Sequence, residues 1–226
     1  MTGTIVNTCT IIAGSIIGSI FKKGIQENHQ TALFNAMGLA ATGLGINSVV
    51  QNMPKSNYPV LFIVSLALGS LVGTMIDLDG KFKHLTERLS VGQLSKGLST
   101  GILLFCIGTL SILGPIQSAL NGDHTYLFTN ATLDFVTSMV LASTYGIGII
   151  LCAVVLFCWQ GAIFGCALLL GNFMTADMMT ELSVVGGFLI ASSGISILNI
   201  KDCKTMNMLP ALAVPIVFCW AVGLFV

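Results

Sequence analysis

The sequence predicts an all-α, polytopic membrane helix bundle of about seven or eight spans, because each span takes roughly 20 apolar residues. Three observations carry this. Only 8% of the 226 residues are charged and 54% are hydrophobic, against about 25% charged in soluble domains. Apolar runs of span length follow one another with short polar links between them. Lysine and arginine gather in alternate links. A mean hydropathy of +0.93 leaves no room for a soluble domain, so residues 1–226 read as one integral membrane domain.

In chain order the apolar runs are 4–21, 32–50, 59–76, 98–119, 128–143, 145–170, 182–200 and 208–226. The first lacks a basic segment before it and is followed by Lys22 and Lys23, so it reads as a span and not as a removable signal peptide. With eight crossings and both termini outside, the cytoplasmic links hold Lys22, Lys23, Lys81, Lys83, Arg88, Lys96, Lys201 and Lys204, and only Lys55 lies outside. That bias is the one membranes impose. If 128–170 crossed once, Lys201 and Lys204 would move outside, so this stretch either crosses twice or dips in without crossing. The link from Asp77 to Gly97 places Phe82, Leu85 and Leu89 at helical spacing among basic residues. It is either a helix on anionic headgroups or an ordinary cytoplasmic link.

An internal repeat underlies the order. Gly14-x-x-x-Gly18, Gly38 and Gly45 seven apart, and Pro59 opening a span are echoed by Gly161-x-x-x-Gly165, Gly187 and Gly194 seven apart, and Pro210. Residues 1–78 and 145–226 are thus expected to be three-helix repeats flanking a central pair at 97–143. Under the charge-derived topology their second helices run oppositely, so the repeats are inverted, as in many secondary transporters. Glycines four apart, also at Gly69/Gly73 and Gly97/Gly101, let helix backbones approach closely in lipid. They pack helices within the chain or between copies in a homo-oligomer.

The central pair holds the candidate site. Gly114-Pro115 interrupts its first span, since proline lacks a backbone donor and crowds the preceding turn, and Gln117 follows. Carbonyls from Thr109 to Leu113 are expected to seek other donors, which lipid cannot supply. In the second segment Asn130, Asp134 and Ser138 stand four apart with Thr137 beside them, making one polar helical stripe. A carboxylate at the bilayer centre costs at least about 2.5 kcal/mol, so Asp134 is expected to face the bundle interior. Asn35, Asn47, Gln160 and Asn199 read as interhelical hydrogen-bonding residues.

Zero net charge gives no nucleic-acid footprint. His29, His84 and His124 lack metal-site spacing, and six of seven cysteines lie in apolar runs without a C-x-x-C pair. Phosphate-loop, nucleophile-elbow and zinc-protease motifs are absent, so neither an enzyme, a cofactor nor a metal is expected.

The run L-L-F-C-I-G from Leu103, I-L-G-P-I-Q from Ile112, N-G-D from Asn121 and L-D-F-V-T-S from Leu133 resembles the YqgA/YdfK-type family of uncharacterised bacterial multi-spanning membrane proteins. G-S-I-I-G from Gly14, E-L-S-V-V-G-G from Glu181 and L-P-A-L from Leu209 extend the likeness along nearly the whole chain. The resemblance implies a bacterial inner-membrane location and no established substrate. The family often carries a lysine four residues before the aspartate and a glycine after it, where this chain has Asn130 and Phe135. The expected function is a small secondary transporter or channel for a cation or small solute, with Asp134 on its path. The alternative is a non-transporting scaffold or binding protein.

Overall fold

A computed structural model of the chain describes residues 1–20, 26–81, 84, 93–171 and 174–223. These residues form a helical protein: α1 (Thr2–Ile20), α2 (Glu27–Asn52), α3 (Leu61–Ile76), α4 (Gln93–Ile107), α5 (Thr109–Asn121), α6 (Thr125–Tyr145), α7 (Leu151–Leu170), α8 (Ala176–Ile197), the short α9 (Thr205–Met208) and α10 (Ala213–Gly223). No strand occurs among the described residues. The eight expected apolar runs each coincide with one helix or a broken pair. Within the Asp77 to Gly97 link, residues 82, 83 and 85–92, which include Phe82, Leu85 and Leu89, lie outside the described residues.

Among the described residues, five helical stretches are long and apolar enough to cross a membrane, and α4 with α5 makes a sixth if the bent pair is one span. The other two expected spans are α3, with 16 residues, and α6, with 21. At 1.5 Å per residue they extend about 24 and 32 Å. The chain is an all-α membrane helix bundle.

The chain divides into two compact units, Met1–Phe34 with Lys81–Gly171, and Asn35–Gly80 with Asn172–Val226. This differs from a split into repeat, centre and repeat. The first helix of each expected repeat joins the central pair in unit one, while the later helices of both repeats make unit two.

In unit one, α1 and α6 run parallel in close contact. The successive neighbours are Gly3 with Leu127, Gly14 with Ser138 and the Phe135 carbonyl, and Gly18 with the Met139 backbone. A Cβ at Gly14 or Gly18 would strike those atoms, so glycine is what allows two backbones to meet here. Around this pair Ile11, Phe105, Cys106, Leu141, Ile149, Cys152 and Leu156 form a buried apolar cluster. The glycines of α7 are used differently. Gly161 meets only the tip of Met1 and Gly165 meets nothing within 4 Å, so the two expected Gly-x-x-x-Gly counterparts do not pack alike.

In unit two, α2 and α8 run antiparallel with reciprocal contacts. Gly38 lies on the Gly194 carbonyl and Gly194 on the Gly38 carbonyl, while Gly45 and Gly187 meet in the same mutual way. The next pair is also antiparallel, with Gly69 against Ala211 and Gly73 against Asn207. Phe62 stacks on Phe188 at 4.7 Å, and Tyr58 meets Phe218 edge-on at 5.0 Å. Helix α8 begins where its sequence directs: the Thr175 side chain accepts from Met178 N, and Asp177 in the first turn suits the positive end of the helix dipole.

Candidate functional site

The expected break at Gly114-Pro115 lies elsewhere. Pro115 sits inside α5, and the chain breaks at Gly108, whose ψ of 138° ends α4 and starts α5 afresh with a bend of 41°. The proline ring crowds the carbonyl four residues back, at Ser111, and withholds its donor. A fresh helix start six residues upstream lets α5 tilt as a unit. Ser111 N then bonds the Gly108 carbonyl at 2.9 Å, and Gln160 of α7 donates to Ser111 Oγ at 3.1 Å. Gln160 thus acts as the interhelical hydrogen-bonding residue its sequence context predicts.

Asp134 lies mid-way along α6 and is 4% exposed, inside unit one and away from its surface. Asn130, one turn earlier and equally buried, donates from Nδ2 to Asp134 Oδ2 at 2.8 Å. The donor four residues before the aspartate is therefore a neutral amide. Helix α1 adds Asn7, fully buried, whose amide faces the Asp134 carboxyl although its Nδ2 completes no bond of regular geometry. Cys106, in the last turn of α4, is buried. Gly108 follows two residues later, and a Cβ there would come within 4.0 Å of Asn130 Oδ1. The site thus comprises Asp134, Asn130, Asn7, Cys106 and the break at Gly108, drawn from α1, α4 and α6.

The remaining expected residues are placed differently. Ser138 is fully buried, but it bonds the Phe135 carbonyl at 2.9 Å and presses on Gly14, so it serves the α1–α6 contact. Thr137 is buried on the same helix. Gly114 packs against Leu127, near the start of α6, seven residues before Asp134. Gln117 accepts from Asn121 Nδ2 near the turn into α6. It lies nine residues past Gly108, roughly 14 Å along the helix. Asn35 and Asn47 are exposed, and Asn199 takes a left-handed turn past the end of α8 with φ of 56°.

Two features escaped sequence reasoning. Asn7 belongs to a run of buried α1 residues, Thr4, Asn7, Ile11, Ser15 and Gly18, whose helical spacing was legible. Glu181 is a second buried carboxyl, in unit two, where its Oε1 accepts from Ser56 Oγ and from Tyr58 N. A glutamate immediately before the apolar run 182–200 was the available signal.

A family model described as a protein of unknown function, DUF554, matches residues 2–220. The chain is 54% identical over 225 residues to the uncharacterized membrane protein YdfK of Bacillus subtilis, covering all of this chain and 98% of that one. It is 28% identical over 231 aligned positions to the uncharacterized protein YqgA of Escherichia coli, covering 96% and 97%. No solved structure matches the chain.

Proposed function

The chain belongs to the DUF554 family, and we propose that it is a small multi-pass transporter of the bacterial inner membrane that carries a cation or small solute past Asp134 and the break at Gly108. The observation that carries this reading is the juxtaposition of a buried carboxyl with an interrupted span. A helix that ends inside a bundle leaves its last carbonyls without intrahelical donors. Such backbone at membrane depth is tolerated where it is covered by protein or lines a water-filled cavity. A buried carboxyl has the same requirement. One polar path meets both.

The packing in unit two supports an inverted repeat. A two-fold axis that exchanges Gly38 with Gly187 and Gly45 with Gly194 turns the Gly38–Gly194 contact into the Gly187–Gly45 contact. Both contacts are present, and both helix pairs are antiparallel. In unit one, α1 and α6 run parallel, as eight crossings require of the first and fifth spans. With both termini outside, two inversely related helix sets provide two packings that open to opposite faces.

The test is flux in liposomes. The purified chain should take up at least one member of a panel of inorganic cations and small polar solutes, and Asp134→Asn should lose that uptake while eluting and melting like the unmodified chain. No uptake of any panel member, together with specific capture of a membrane partner, would favour the scaffold reading.

A further inference from the structure

We propose that unit one contains a binding site for a single dehydrated alkali-metal cation, built from the Asp134 carboxylate, the side-chain amides of Asn130 and Asn7, and the backbone oxygens that end α4 at Gly108. The proposal rests on the transport reading and gives its substrate or coupling ion a chemical class.

Charge sets the class first. Asp134 is the acidic group of the site, and its hydrogen-bond partner among the described residues is the neutral amide of Asn130. An anion would find a charge of its own sign. A divalent ion beside a single carboxylate would leave one positive charge unbalanced, and the described residues hold no group of three His, Cys, Asp or Glu suited to a metal. Soft metals need several thiolates or imidazoles, and here Cys106 stands beside oxygens and amides. One carboxylate with neutral oxygens balances one hard positive charge.

Unsatisfied polarity points the same way. Among the described residues, Thr4 Oγ1, Asn7 Nδ2 and Ser15 Oγ on α1 and Gln160 Oε1 on α7 are buried without a hydrogen bond of regular geometry. Buried polar atoms are nearly always paired, so an orphan beside Asp134 calls for a partner. Asn7 is the one of these aimed at Asp134. Its amide nitrogen faces the carboxyl, and a half-turn of the amide would present Oδ1 instead. Asn130 Nδ2 is already held by Asp134, which leaves its Oδ1 toward the break at Gly108. With the α4 carbonyls at their negative dipole end, these atoms form an oxygen set from three helices, the arrangement by which broken spans hold cations.

The test is equilibrium binding to the purified full-length chain in detergent. Titrations with sodium, potassium and choline chloride at constant ionic strength and neutral pH should show saturable binding of sodium or potassium at one per chain. Choline should not bind. Asp134→Asn should abolish binding, and Asn7→Ala should weaken it about tenfold or more, while Glu181→Gln, at the buried carboxyl of unit two, should leave it unchanged. Binding by the unmodified chain decides the matter even if a variant fails to fold: no saturable alkali-cation binding, or proton uptake as the only event, overturns the proposal. Equal affinity in Asp134→Asn and the unmodified chain overturns it too. One bound cation without flux in liposomes would keep this site and reject the transport reading, whereas flux of a neutral solute without cation binding would do the reverse.

Discussion

Replacing Gly18 with alanine should destabilise the chain by about 1 to 3 kcal/mol, the range seen when a methyl group is forced into a packed core. The structure locates the cause. A Cβ at Gly18 would fall against the carbonyl oxygen of Met139 and within 2.8 Å of its Cα and carbonyl carbon. These are backbone atoms, which no rotamer change can move aside, so α1 and α6 must separate along their shared seam. Gly165→Ala is the matched control, since nothing lies within 4 Å of the new methyl. It should be neutral, or stabilising by up to about 1 kcal/mol through helix propensity. Unfolding of both variants by denaturing detergent, followed by circular dichroism, measures the difference. The reasoning fails if Gly18→Ala is as stable as the unmodified chain, or if Gly165→Ala is equally harmful.

Other consequences can be measured directly. Reporter fusions after Lys83 and after Val226 should report opposite sides of the membrane, with Val226 outside; reports from the same side would reject both the eight-crossing topology and the inverted repeat. Glu181→Ala should cost about 1 to 3 kcal/mol, because it strips the acceptor from Ser56 Oγ and leaves the Tyr58 N–H without its carboxylate partner. Glu181→Gln, which keeps one oxygen, should cost less, and equal losses from the two would show that the acceptor is not what matters.

Much of the fold could be read from the sequence because it depends on local patterns. Apolar runs and polar links marked each helix, and Asn130 and Asp134 are joined through the i, i+4 geometry of one helix. What lay beyond reach depends on which helix lies next to which. Gly14/Gly18 and Gly161/Gly165 are the same local motif, yet only the first meets a neighbouring backbone. Proline marked where a helix would be weakened, but α5 runs through Pro115 and the interruption falls upstream, where Gly108 is extended. Gln117 looked adjacent to Asp134 only if the break fell at Pro115. Asn7 is more than a hundred residues from Asp134, and the parallel packing of α1 on α6 is what brings them together.

The central claim is that a permeation path runs past Asp134, and the accessibility of its neighbour Asn130 tests it most directly. In a chain whose seven native cysteines are replaced, Asn130→Cys should react in intact membranes with a small, membrane-impermeant thiol reagent. The transported species should slow that reaction. A cysteine there that reacts only with lipid-soluble reagents, or with none, would contradict the account.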